Sequence, residues 1–161
     1  MTTEMTLNEN FIEFIKLLNE NNVKYVLVGG WAVIFEGYSR TTGDMDVFVE
    51  RDEENAEKII NVIKEFWGST IGFSKEDFLK EENVIMMGRP PFRIDILMDI
   101  SGVNFKEVFD TSKIYDDEGV KIRCIHINEL IKNKKSTGRL KDLADADMLE
   151  KILKKRNKKK K

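Results

Sequence analysis

Val26-Leu27-Val28-Gly29-Gly30-Trp31-Ala32-Val33, followed by Thr42-Gly43-Asp44-Met45-Asp46-Val47-Phe48-Val49, is the part of the chain from which the rest can be ordered. Val23–Val28 is a short β-branched run and predicts a strand that ends at the glycine pair, where a brief helix, Trp31–Phe35, begins and is stopped by Gly37. Two glycines let bare backbone amides approach a phosphate closely. Asp44–Val49 alternates and predicts a second strand, with Met45, Val47 and Val49 on one face and Asp44, Asp46 and Phe48 on the other. Asp44 and Asp46 then stand about 7 Å apart and point the same way. A turn suited to phosphate and a pair of carboxylates suited to a divalent cation occupy adjacent elements.

Upstream, Thr6-Leu7-Asn8-Glu9 has the capping-box form, and Phe11, Phe14, Ile15 and Leu18 recur at helical spacing, which predicts a helix to about Asn21. Downstream, Asp52 caps a helix whose buried stripe is Ala56, Ile59, Ile60, Ile63 and Trp67, closed by Gly68. Val84–Met87 and Phe92–Met98 are parted only by Gly88-Arg89-Pro90-Pro91, too short for a parallel crossover, so they pair as a hairpin. Arg93, Asp95 and Leu97 share a face of the second of these strands, leaving Asp95 as its one acid. Asn104–Phe109 predicts a short helix, and Lys113–Tyr115 with Val120–Ile125 a hairpin around Asp116-Asp117-Glu118-Gly119. Two last helices, Asn128–Lys135 and Arg139–Lys155, are separated by Ser136-Thr137-Gly138.

A chain of 161 residues with 41% apolar content suits one domain with a real core. Its net charge of −2 conceals 35% charged residues of both signs, which argues against a surface built throughout to grip nucleic acid. Cys124 is the only cysteine, so no internal disulfide or CxxC site exists, and His126 has no ligand-spaced partner. With no secretory start and no apolar run near about 18 residues, the expectation is a soluble cytoplasmic protein without a membrane partner. Residues 1–125 form the expected core, 126–155 a C-terminal helical segment of the same domain, and 156–161 a frayed basic tail.

Phosphoryl transfer from a nucleoside triphosphate needs positioning and charge neutralisation more than covalent chemistry from the protein. Asp44, Asp46 and a third acid from a neighbouring strand, Asp95, would hold two Mg2+ ions, replaceable by Mn2+. Gly29 and Gly30 would cradle the β- and γ-phosphates. Arg40 and Thr42, just before the aspartates, either touch phosphate or simply belong to a polar loop. Asp142 and Asp145, at i and i+3, share a helix face, with Arg139 and Lys141 beside them as phosphate partners; Arg139 could instead fork onto a carboxylate.

The order V-L-V-G-G-W-A-V, T-G-D-M-D-V-F-V, R-I-D-I-L-M resembles the nucleotidyltransferase superfamily of the DNA polymerase β type, over Val23 to about Met98. That resemblance implies an α/β (α+β) fold with a small mixed sheet flanked by helices, C-terminal helices closing the site, and magnesium-dependent transfer of an NMP from an NTP. Leu130-Ile131 with Lys134, then Gly138-Arg139-Leu140-Lys141-Asp142-Leu143-Ala144-Asp145, is similar to the pattern of small bacterial and archaeal nucleotidyltransferases allied to AbiEii-type toxins. By that analogy Lys134 contacts the triphosphate, and Asp142 and Asp145 order or activate the site. RNA, above all tRNA, or protein is then the favoured acceptor, and an antitoxin is a conceivable partner in a toxin-antitoxin or phage-defence setting. The alternatives are a lincosamide or aminoglycoside antibiotic acceptor, a non-catalytic nucleotide-binding or antitoxin-like module, and a metal-dependent phosphate-ester hydrolase.

Overall fold

Alternation in the strands and 3.6-residue periodicity in the helices sort the apolar side chains onto two faces of one mixed sheet. The computed structural model describes residues 8–159. Its strands are β1 (Tyr25–Val28), β2 (Asp44–Val49), β3 (Val84–Met87), β4 (Arg93–Leu97), β5 (Lys113–Asp117) and β6 (Val120–Cys124), in the order β3-β4-β2-β1-β6-β5. Its helices are α1 (Glu9–Glu20), α2 (Gly29–Phe35), α3 (Glu53–Trp67), α4 (Phe105–Thr111), α5 (Ile127–Thr137) and α6 (Leu140–Lys159). Both expected hairpins form, β3–β4 and β5–β6.

Leu27, Met45, Val47, Ile94 and Ile96 face α1 and α3 in the larger core cluster. Val26, Val28 and Phe48 point the other way, onto Val108 of α4, Leu130 of α5 and Leu149 of α6. The site-bearing face therefore lies under the C-terminal helices.

Local details differ from the sequence expectation. Thr6 lies outside the described residues, and α1 is capped by Asn8, whose side chain accepts from the Phe11 amide. In α3, capped by Asp52 and closed by Gly68 in the left-handed conformation, Val62 is fully buried, whereas Ile60 and Trp67 are only partly covered. Ser136 and Thr137 belong to α5, so Gly138 and Arg139 alone separate the last two helices.

The basic terminus requires a correction. α6 continues to Lys159 rather than fraying from residue 156, because lysine and arginine propagate a helix well and Arg156 finds a buried partner. Its guanidinium reaches the Glu36 carboxylate (3.0 Å) and donates to the Glu36 carbonyl (2.8 Å) at the end of α2. Lys160 and Lys161 lie outside the described residues.

Candidate active site

Two strand registers, joining three strands, assemble the acids. Parallel pairing of β2 with β4 sets Asp46 across from Asp95 and Asp44 across from Arg93, while antiparallel pairing with β1 sets Val28 across from Asp46. Cross-strand partners share a face, so the end of β1, both acids of β2 and the acid of β4 meet at one place. Asp99, four residues beyond Asp95, falls past the strand but still lines the same cavity.

The glycine turn is fitted to those acids. Gly29 has φ +69°, and a Cβ there would collide with the Asp46 carboxylate. A Cβ on Gly30 would come within 2.6 Å of Thr42 Oγ1. Both positions thus require glycine for space, and the first also for its backbone conformation. Trp31 packs edge-on against Phe11, centroids 6.4 Å apart, which makes it a packing residue.

Opposite the acids stands a wall of alternating charge. Arg40 donates to Asp145 (2.9 Å), Lys134 lies 3.2 Å from Asp145 and 3.1 Å from Asp142, and Arg139 reaches Asp142 at 2.7 Å. Thr137 adds a hydrogen bond to Asp142 at 2.7 Å. Asp142 and Asp145 are buried, so they are not solvated helix charges but anchors that fix three cations. Burial by itself raises the Asp142 pKa; hydrogen bonds from Thr137 and Lys134, the Lys134 charge and the Arg139 bond outweigh it and hold the carboxyl below its ordinary value.

Asp46 is the electrostatic centre. Burial, then the charges of Asp95 and Asp44, push its pKa up to about 7, against a smaller opposing pull from Lys134. A clustered set of carboxylate oxygens is the donor chemistry of a hard divalent cation, and the excess negative charge that Asp46 registers is what such an ion would relieve. Among the described residues, however, no group of three acids stands ready-made to hold a metal ion. Arg93 stands between two of the acids: its Nε and Nη2 fork onto Asp95 (2.9 and 3.0 Å), and Nη2 also reaches Asp44 at 2.5 Å. The donor set fits the ion chemically, and a guanidinium already spans two of its members.

All these groups except Asp145 line one cavity of about 490 Å3, within the range of nucleotide-sized sites. Gly29, Gly30, Arg40, Thr42, Asp44, Asp46, Asp95, Lys134, Arg139, Lys141 and Asp142 are there as expected; Asp145 stands behind Arg40 and Lys134. Arg93, Asn133 and Thr137 join them without having been singled out from sequence. The signal for Arg93 was its place on the Asp95 face; Asn133 and Thr137 had none, since Asn133 looks like an ordinary polar helix residue and Thr137 like part of the break between the last two helices. A larger cavity, about 820 Å3, lined by Leu17, Phe66, Trp67, Pro90, Pro91 and Phe92, has an apolar wall and lies apart from the acids. His126 is the N-cap of α5, its Nδ1 accepting from the Asn128 amide, and Cys124 is a buried core residue.

No protein-family model matches the sequence, and no curated protein matches it. Solved structures do. A Thermotoga maritima protein provisionally assigned as a nucleotidyltransferase aligns with a TM-score of 0.54 at 16% identity, covering 90% of this chain and 91% of that one. An antigenic nucleotidyltransferase-like protein from Paracoccidioides brasiliensis aligns with a TM-score of 0.54 at 11% identity, covering 91% and 77%. At these identities the likeness establishes the fold: the chain has the mixed α/β architecture of nucleotidyltransferases. Among the described residues no helix is long and apolar enough to cross a membrane.

Proposed function

We propose that the protein moves a nucleoside monophosphate from a nucleoside triphosphate to an acceptor hydroxyl and releases pyrophosphate. The observation that carries this reading is the meeting, in one cavity, of Asp44, Asp46 and Asp95 with the Gly29-Gly30 turn and the cations Arg40, Lys134, Arg139 and Lys141. Gly29 and Gly30 present bare backbone to the β- and γ-phosphates. Lys134, pinned by two buried carboxylates, offers its charge at a fixed place rather than on a mobile stem, and Arg40 is held by one of them, Asp145. Asp44, Asp46 and Asp95 would hold magnesium, two ions or their manganese equivalents, which when bound neutralise phosphate charge and acidify the acceptor hydroxyl. The C-terminal helices supply the wall of the cavity opposite the acids, with Lys134, Arg139 and Lys141 on it.

The acceptor we favour is RNA, in particular tRNA, or protein, in the manner of AbiEii-type toxins and with an antitoxin as partner; this rests on the resemblance of the 130–145 segment alone. Incubating the protein with α-32P-labelled NTPs, magnesium and cell extract, then separating RNA, protein and small molecules, assigns the acceptor by where label accumulates. The Asp44→Asn/Asp46→Asn variant should transfer at least ~1,000-fold less label while keeping its circular dichroism spectrum. Label transfer undiminished in that variant removes the assignment. Nucleotide binding by calorimetry with no label in any fraction would replace it with a non-catalytic module.

A further inference from the structure

Among the described residues, Arg93 is the one strong cation beside the acids that no phosphate role absorbs. It stands on β4 two residues before Asp95, so both side chains leave the same face, and the β2–β4 register sets it directly across from Asp44. A guanidinium at that point can fork onto its own strand neighbour and still reach across. The structure has that arrangement, with Nε and Nη2 on Asp95 and Nη2 shared with Asp44. A lysine could not do this, because a single ammonium lacks the planar fork.

We propose that Arg93 is a built-in stand-in for the divalent cation: it holds Asp44 and Asp95 in place in the metal-free protein, and the ion enters by displacing it from Asp44. This rests on the nucleotidyltransferase reading of the same site. Three carboxylates crowded on one sheet face repel one another and would splay without a counter-charge. Arg93 supplies one, and the side chain is about 30% exposed, so it has open space into which to withdraw. Asp46 is the acid that Arg93 does not bond. Arg93 thus acts through the acids as a positioning residue, and it makes ion binding weak until a triphosphate contributes its own oxygens. By linkage, the nucleotide and the ion must each tighten the other's binding.

The test is Mn2+ alone, titrated into the full chain and followed by the electron paramagnetic resonance of the free ion, in wild type, Arg93→Gln, Arg93→Lys and Arg93→Gln/Asp44→Asn. Removing a competing charge-assisted bond should tighten Mn2+ binding by about tenfold to a hundredfold in Arg93→Gln. Arg93→Lys should fall between that variant and wild type, and adding Asp44→Asn should cancel the gain. A merely structural arginine would give unchanged or weaker binding on removal. Equal or weaker binding in a folded Arg93→Gln, or in Arg93→Lys should the first not fold, overturns the proposal. Label transfer by the wild type would leave the enzymatic reading standing in that event. Absence of Mn2+ binding in every variant, with ATP present as well as without it, overturns both.

Discussion

A carboxylate surrounded by other carboxylates holds its proton too well, and Asp46 is in that position. Its pKa is raised from 3.8 to about 7, by burial first and by Asp95 and Asp44 next. A raised folded pKa means that the stability gained from the proton is complete below pH 3.8 and is lost as pH climbs through about 7. In EDTA, the wild type should therefore lose roughly 2–4 kcal/mol from this group over that window. Asp46→Asn should flatten the loss, which urea titrations at several pH values will measure; parallel pH profiles for the two proteins would disprove it. Gly29 gives a second residue-scale expectation. Gly29→Ala needs a left-handed backbone and drives a methyl into the Asp46 carboxylate, so it should cost about 1–3 kcal/mol in urea unfolding and weaken nucleotide binding as well. Unchanged affinity would detach the turn from the phosphate site. Residues such as Asp44 and Asp46 were legible because alternation within six residues is a local property. Arg93 was not, since its partner Asp44 is 49 positions away and only the strand register joins them.

Elements were legible wherever their ends carry their own signals. Asp52 and Gly68 bracket α3, and the short connection at Gly88–Pro91 forces the β3–β4 hairpin. The far end of the last helix is not legible, because a run of lysines reads as solvent-facing charge and nothing local reveals that Glu36, 120 residues earlier, is buried and in want of a cation. Arg156 therefore does mechanical work: it ties the end of α6 to the end of α2, whose first residues form the glycine turn. Tyr115 shares the carboxylate through a 3.2 Å hydrogen bond, so truncation does not leave Glu36 wholly bare. With Arg156 itself 38% exposed, Arg156→Ala should cost about 1–3 kcal/mol rather than the larger sum for a fully buried pair. Adding Glu36→Gln should recover part of that loss, since the orphaned charge goes with it. Urea midpoints for both variants decide this, and a neutral Arg156→Ala would return the segment to the status of a loose tail.

At the scale of the molecule, the mixed character of the sheet was implied by the family resemblance, but the order β3-β4-β2-β1-β6-β5 was not legible. Pairings between β1 and β6 or β2 and β4 depend on which faces α1, α3 and the C-terminal helices cover, and that is settled only when the whole core packs. Two of the cavities that this packing leaves make opposite demands on a ligand. The polar one beneath α5 and α6 offers cations and acids; the larger one at Trp67 and Phe92 offers mainly apolar wall. A triphosphate with magnesium should choose the first. At about a hundredfold over its dissociation constant it should add ~2.7 kcal/mol of stability, which for a chain of this length raises Tm by about 5–10 °C. Because the triphosphate would bridge the sheet and the Lys134–Asp145 wall, the shift should require magnesium and should vanish in Asp44→Asn/Asp46→Asn, while Trp67→Ala leaves it intact relative to that variant's own baseline. The reverse pattern, with the shift lost on altering Trp67 and kept without the aspartates, would place the nucleotide in the apolar cavity and leave the acids without a substrate.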